Sequence, residues 1–189
     1  MDLILLQPGS NDVFPSPDSG ANGGGLIDGD SWINEEIKLR PCIELLSLHQ
    51  GMKQQITTDI SNSARTSGRP IISEFTCVKY VDKTSVKLYD YCLRAKPLSA
   101  DKNSPSKIFI LRKTPENLGV VMTFQLRDAI ISEIQLETHP DDMPTERFKL
   151  NFTEILWSHS VLQANSDKPD RLFSGWSLAR NQPIAQFTD

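Results

Sequence analysis

Residues 69–97 read RPIISEFTCVKYVDKTSVKLYDYCLRAKP, a strand that turns directly into a helix. Ile71, Ile72, Phe75, Cys77, Val78 and Tyr80 are strand-type residues, spaced by Ser73, Glu74, Thr76 and Lys79. Asp82 is placed to cap a helix over about residues 82–96, its carboxylate accepting hydrogen bonds from unpaired first-turn amides. At about 100° per residue, Val86, Leu88, Tyr89, Cys92 and Leu93 fall on one half of that helix. Lys83, Lys87, Asp90 and Arg94 fall on the other, with Tyr91 at the polar margin. Lys96 suits the negative helix end and Pro97 stops it. One amphipathic helix cannot bury its apolar stripe alone, so it must lie against sheet.

Outward from that junction the chain supplies the sheet. Leu3-Ile4-Leu5-Leu6 reads as a first strand; without a basic leader and ending at Gln7-Pro8, it is too short for a signal peptide or a membrane span. Pro8 to Asp30, with Gly23-Gly24-Gly25, has neither strand nor helix periodicity and reads as a long loop insertion. Its glycines are followed by no Lys-Ser/Thr pair, and Asp28-Gly29-Asp30 lacks the later ligands of a calcium loop, so turn chemistry accounts for both. Strand character resumes at Trp32 and runs through Ile37, Leu39 and Ile43 to His49, with Lys53 to Ile60 as a polar continuation. Ser61 to Gly68 reads as a polar loop with no apolar anchor of its own.

Beyond the helix comes a meander. Ile108 to Arg112 and Val120 to Arg127 flank a turn at Thr114 to Gly119. Ile130, Ser132, Ile134 and Leu136 alternate with Glu133, Gln135 and Glu137. Phe148, Leu150 and Phe152 share one phase and Ile155 and Trp157 the other, which requires a bulge or a strand bend near Thr153-Glu154. A last short strand, Gly175 to Leu178, precedes a polar tail from Gln182. The sum is a mainly β chain of roughly eight strands, a small barrel of two sheets with one flanking helix, read as one domain over residues 1–189. Its expected core includes Phe75, Leu88, Leu93, Phe124, Phe152, Trp157 and Trp176.

Composition narrows the functions. A length of 189 residues with 38 % hydrophobic content suits one well-cored domain. With 24 acidic against 20 basic residues, net charge −4 and no basic run among aromatics, nucleic acid is not the expected partner. Cys42, Cys77 and Cys92 are odd in number and set among apolar residues, which reads as buried free thiols in a reducing compartment. His49, His139 and His159 lie in separate segments without ligand spacing, and His139 beside Asp141 and Asp142 sits in a proline-bounded turn. Asn151-Phe152-Thr153 matches a glycosylation sequon inside a strand, where it reads as accidental. No catalytic, metal or cofactor site is expected.

Four fragments, in order, resemble the haemolysin-coregulated protein (Hcp) family, the tube subunits of the bacterial type VI secretion system. Phe75 to Lys79 followed by Asp82 to Leu88 is similar to that family's strand–helix junction. Thr123 to Arg127 with Asp128 to Ser132 is similar to its Lys-Leu-Thr-Asp-like strand and continuation. Pro144 to Glu146 with Phe148 to Phe152 and Ile155 to Trp157 resembles its penultimate strand. Gly175-Trp176-Ser177-Leu178 with Asn181 resembles its Gly-Trp-Asp-Leu closing strand, Ser177 replacing the Asp. The resemblance covers Trp32 to Gln182 and the first strand; the Pro8 to Asp30 insertion and the Asn165 to Ser174 segment are longer than usual.

The resemblance implies a non-enzymatic subunit forming hexameric rings. Such rings stack into a tube inside a contractile sheath and are expelled with spike and effector proteins, the effectors riding in the lumen. It implies assembly in the bacterial cytoplasm, then secretion without a signal peptide or membrane insertion. Within that picture the loop residues Asn62, Ser63, Arg65, Thr66 and Arg69 are expected to reach the adjacent ring. Two alternatives stay open: a tail-tube-like protein of another contractile machine, and a monomeric β-barrel binding module with a ligand-sized interior pocket.

Overall fold

The computed structural model describes residues 3–14, 41–59, 64–101, 103–113, 118–160 and 171–188. The strand expected at Trp32 to Leu39, the Gly23–Gly25 run, and Asn62 and Ser63 lie outside them. Fifteen strands and one α-helix are present among the described residues. A seven-stranded antiparallel sheet has the order β15-β14-β13-β10-β9-β1-β2. Its members are β1 (Leu3–Gln7), β2 (Ile43–Leu45), β9 (Ser106–Lys113), β10 (Leu118–Arg127), β13 (Glu154–Ser160), β14 (Arg171–Ser177) and β15 (Gln182–Pro183). A four-stranded antiparallel sheet, β11-β12-β8-β3, comprises β3 (Ser47–His49), β8 (Phe75–Tyr80), β11 (Ile130–Glu137) and β12 (Thr145–Asn151). Two small hairpins complete the set: β4 (Met52–Lys53) with β7 (Ile71–Ile72), and β5 (Ile56–Asp59) with β6 (Ala64–Ser67).

The fold is mainly β with one helix, in agreement with the sequence reading; the strands are shorter and more numerous than the eight expected, because the chain repeatedly changes sheet. At Leu46 it leaves β2 for β3, at Asp128-Ala129 it leaves β10 for β11, and at Phe152-Thr153 it leaves β12 for β13. Asp128 makes its corner with φ 51°, a left-handed conformation that Asp tolerates. The phase change between Phe152 and Ile155 is the bend at the third corner. Both residues are buried, at 4 % and 0 % exposure, in one core lying between the two sheets. Phe75 anchors that core, its ring 5.2 Å from Phe124 edge-on and 5.7 Å from Phe152. Trp157 and Trp176 are partly buried against it.

Three expectations are corrected. The helix, α1 (Ser85–Leu93), starts later than Asp82 and turns a different face inward. Ser85, Leu88 and Tyr91 are its buried residues, whereas Leu93 is 88 % and Val86 73 % exposed. The cause is polar: Ser85 Oγ donates to the buried Glu146 and accepts from the Asp82 amide, which fixes the helix rotation. Leu93, about 140° around from Leu88, is then turned away. The N-cap position is Thr84 rather than Asp82, although Asp82 Oδ1 does accept from the Thr84 amide at 2.7 Å and the Thr84 hydroxyl at 2.6 Å, at the helix entrance. At the far end Ala95, at φ 50°, closes a Schellman-type stop with Lys96 N–H on Tyr91 O.

Second, β11 turns inward both Ile131 and, from the expected phase, Ile134, because a bulge between Ile131 and Glu133 shifts the register; Leu136 of the expected phase is 59 % exposed. Third, the insertion begins with structure. Ser10 caps a 3-10 turn, Asn11–Val13, which delivers Val13 and Phe14 to the core. Of the thiols, Cys77 is buried and Cys42 and Cys92 are only partly so.

Candidate functional site

Four polar features stand out against this shell. The first lies inside it. Lys79 shares the strand phase of Phe75 and Cys77, and Glu146 that of Phe148 and Leu150, so both charges point into the core from paired positions of β8 and β12. Lys79 Nζ lies 2.8 Å from Glu146 Oε1, 3.1 Å from Asp82 Oδ1 and 2.8 Å from the Tyr80 carbonyl oxygen. The Tyr89 hydroxyl titrates above its ordinary value, through burial and then the neighbouring Glu146 carboxylate. Sequence reading took Lys79 for a polar spacer. The overlooked signal is that opposite charges occupy the apolar phase of two strands.

The second feature is the outer face of the four-stranded sheet, where β8, β11 and β12 present Thr76, Glu133, Arg147 and Lys149. Glu133 accepts from Lys149 and raises its pKa. A polar cleft of about 330 Å³ opens here, lined among others by His49, Ser73, Glu74, Thr76 and Lys149. Its lining contrasts with the apolar interior pocket a ligand-binding barrel needs.

The third is the β5–β6 hairpin. Sequence reading made Ser61 to Gly68 a loop; residues Ala64–Ser67 instead form β6, paired in register from Ile56↔Ser67 to Asp59↔Ala64. The β-branched Thr57, Thr58 and Thr66 carry the strand signal beneath the polar composition. Among the described residues this hairpin pairs with neither main sheet, and Ile56, Met52 and Ile71 near its root are each at least half exposed. Its two ends meet where Gly68 N–H donates to Gln55 O at 3.0 Å. Of the five residues expected to act here, Arg65 and Thr66 are in β6 and Arg69 is at the root, its guanidinium donating to Leu178 O.

The fourth is a clamp. Glu154 takes the Thr188 amide at 3.0 Å, the Thr188 hydroxyl at 2.5 Å and Arg127 Nη1 at 3.1 Å. Burial alone would raise its pKa; the bonds from Thr188 and Arg127 outweigh that and lower it to about 2.

His139 is 3.6 Å from Glu137 in an exposed turn, and among the described residues no group of three His, Cys, Asp or Glu side chains is placed to hold a metal ion. No helix among them is long and apolar enough to cross a membrane.

These features define a mainly β protein of two sheets over a shared core, carrying a separate two-stranded hairpin. The sequence profile described as "Type VI secretion system effector, Hcp" matches residues 22–159, and the chain belongs to that family. No curated protein matches it in sequence. Among solved structures it is similar to a type six secretion system protein at 18 % identity and TM-score 0.73, covering 97 % of this chain and 100 % of that one. Hcp1 from Salmonella typhimurium follows at 17 % identity and TM-score 0.64, covering 97 % and 99 %. The secreted protein Hcp3 from Pseudomonas aeruginosa aligns at 15 % identity and TM-score 0.51, covering 90 % and 97 %. At such identities the likeness establishes the shared fold.

Proposed function

We propose that this chain is a structural, non-catalytic tube subunit of a type VI secretion system. It forms hexameric rings that stack into the expelled inner tube, inside a sheath and behind a spike, with effector proteins in the lumen. Assembly takes place in the bacterial cytoplasm and the subunit leaves with the tube. Residues 1–189 act as one Hcp-like domain. The observation that carries the reading is the family match over residues 22–159, on a shell whose hairpin arm, among the described residues, pairs with neither main sheet. An isolated two-stranded ribbon is marginally stable in water, so a neighbour that packs against the arm explains its presence. Asn62, Ser63, Arg65, Thr66 and Arg69 supply hydrogen-bonding groups suited to a wet, reversible contact between rings. Head-to-tail contacts around a six-fold axis would close the ring itself.

The test uses the arm. Because Gln55 and Gly68 already meet, residues 56–67 can be replaced by a short Asn-Gly turn without stretching the rest of the chain. Negative-stain microscopy and light scattering at tens of micromolar should show rings for both proteins and stacked filaments for the parent alone. Monomer alone in the parent would sink the tube reading. Rings lost in the variant would move the arm to the lateral interface.

A further inference from the structure

Five segments distant in sequence meet at one corner of the shell. Arg127 closes β10, Thr153 bends the chain between β12 and β13, Leu178 follows β14, Thr188 lies beyond β15, and Arg69 stands at the arm's root. Backbone bonds join three of them: Thr153 N–H to Arg127 O at 3.1 Å, and Leu178 N–H to Thr153 O at 3.0 Å. Thr188 is then held at three atoms. Its amide and hydroxyl donate to the two Glu154 carboxylate oxygens, and its carbonyl accepts from Arg127. Glu154 and Arg127 are 5 % and 11 % exposed in their side chains, so a nearly buried ion pair is engaged on a single residue of an extended segment. Water would replace those bonds on a surface; where the pair is desolvated, losing Thr188 leaves it under-satisfied.

The segment is also seated along its length. Trp176 pairs with Pro183 and Ser177 with Gln182, and Ile184 N–H donates to Gly175 O at 3.0 Å. A Cβ on Gly175 would fall 2.3 Å from Leu156 Cδ2 and 3.0 Å from Ile184 O, so the strand is bare where residues 182–188 cross it. From this corner Arg69 reaches the Leu178 carbonyl, across 109 positions of sequence.

We propose that residues 182–188 are a latch whose closed position sets the hairpin arm, with Glu154 and Arg127 as its catch and the Arg69–Leu178 bond as its linkage. With the latch closed, Leu178 is held by its bond to Thr153 and by the pairing of its neighbour Ser177 with Gln182, which gives Arg69 a steady acceptor. With the latch released, β15 peels from β14, Leu178 loosens and the arm is free to swing about Gly68. The linkage holds whatever the arm touches in an assembly.

Hydrogen exchange on the dilute full-length protein reads it directly, so its failure is distinct from failure of the tube reading. Thr188→Val removes one donor with little change of shape, and Glu154→Gln removes the charge. Each should speed exchange at the Ile184 and Thr188 amides by about tenfold, and that of the arm amides in residues 56–59 and 64–67 by a similar factor. Arg69→Gln should speed the arm alone. Lys149→Gln, on the outer sheet face, should change neither. Release of the latch with arm exchange within about twofold of wild type overturns the proposal, as does an unchanged arm in Arg69→Gln. If Glu154→Gln fails to fold, Thr188→Val carries the test.

Discussion

Replacing Lys79 by methionine strands a carboxylate in the core. Lys79 Nζ has four acceptors within 3.3 Å: Glu146, Asp82, the Tyr80 carbonyl and Ser85 Oγ. Once the ammonium is gone, Glu146, which is 0 % exposed, keeps the Ser85 hydroxyl on Oε1 at 2.9 Å and the nearby Tyr89 hydroxyl, while Oε2 has no hydrogen-bond partner placed among the described residues. Removing one member of a buried ion pair costs about 3–5 kcal/mol, the uncompensated charge being the larger part. Against a typical total of about 5–15 kcal/mol that is roughly a fifth of the stability at the least. Removing both charges is different: Lys79→Met with Glu146→Leu exchanges a satisfied pair for apolar volume and should return to within about 1 kcal/mol of wild type. Urea unfolding followed by the fluorescence of the three tryptophans measures all four corners of the cycle. A Lys79→Met loss below about 1 kcal/mol, or a double variant as weak as the single, would refute the reasoning.

Three further outcomes are expected. Gly175→Ala should cost about 1–3 kcal/mol by overpacking and lift the crossing segment, seen as a lower urea midpoint and faster exchange at Ile184; an unchanged midpoint would show that Leu156 gives way freely. The folded Glu154 pKa of about 2 lies below the unfolded carboxylate value of about 4.3, so its stabilisation is complete above the latter and fades as pH falls toward 2. The melting-temperature gap between wild type and Glu154→Gln should therefore be constant near neutrality and close in acid, and a gap that widens below pH 4 would contradict the sign. Burial lifts the Cys42 thiol to about 11 and the Cys77 thiol further, so maleimide at pH 8 should reach Cys92 first, by mass spectrometry of short exposures; early labelling of Cys77 would show the core opening locally.

The strand–helix junction and the β10–β13 meander were legible because apolar alternation there coincides with burial: Phe75, Cys77, Leu126, Phe148 and Leu150 all lie in the core. Reading failed where a polar contact outranks hydrophobicity. Ser85 turns inward to meet Glu146, and that rotation exposes Leu93 and buries Tyr91, which period and polarity had placed the other way. It failed again where one residue of bulge reverses a strand, at Ile131 in β11. Of the arm, β5 falls inside the polar strand expected at Lys53 to Ile60, whereas β6 was hidden by composition, since a ribbon held by its own ladder needs no apolar face to declare it. The clamp on Thr188 joins positions 34 and 61 apart in sequence, and no local pattern announces such a meeting.

The three corners at Leu46, Asp128-Ala129 and Phe152-Thr153 bear on how the molecule carries mechanical load. In a sandwich held only by greasy faces, a pull on one sheet is resisted by side chains that can slide. Here the covalent chain itself crosses from sheet to sheet directly at these three corners and a fourth time through α1, so shear between them must stretch backbone and strain the ladders of β10 and β13. Tension applied to either sheet is carried through those crossings to the other.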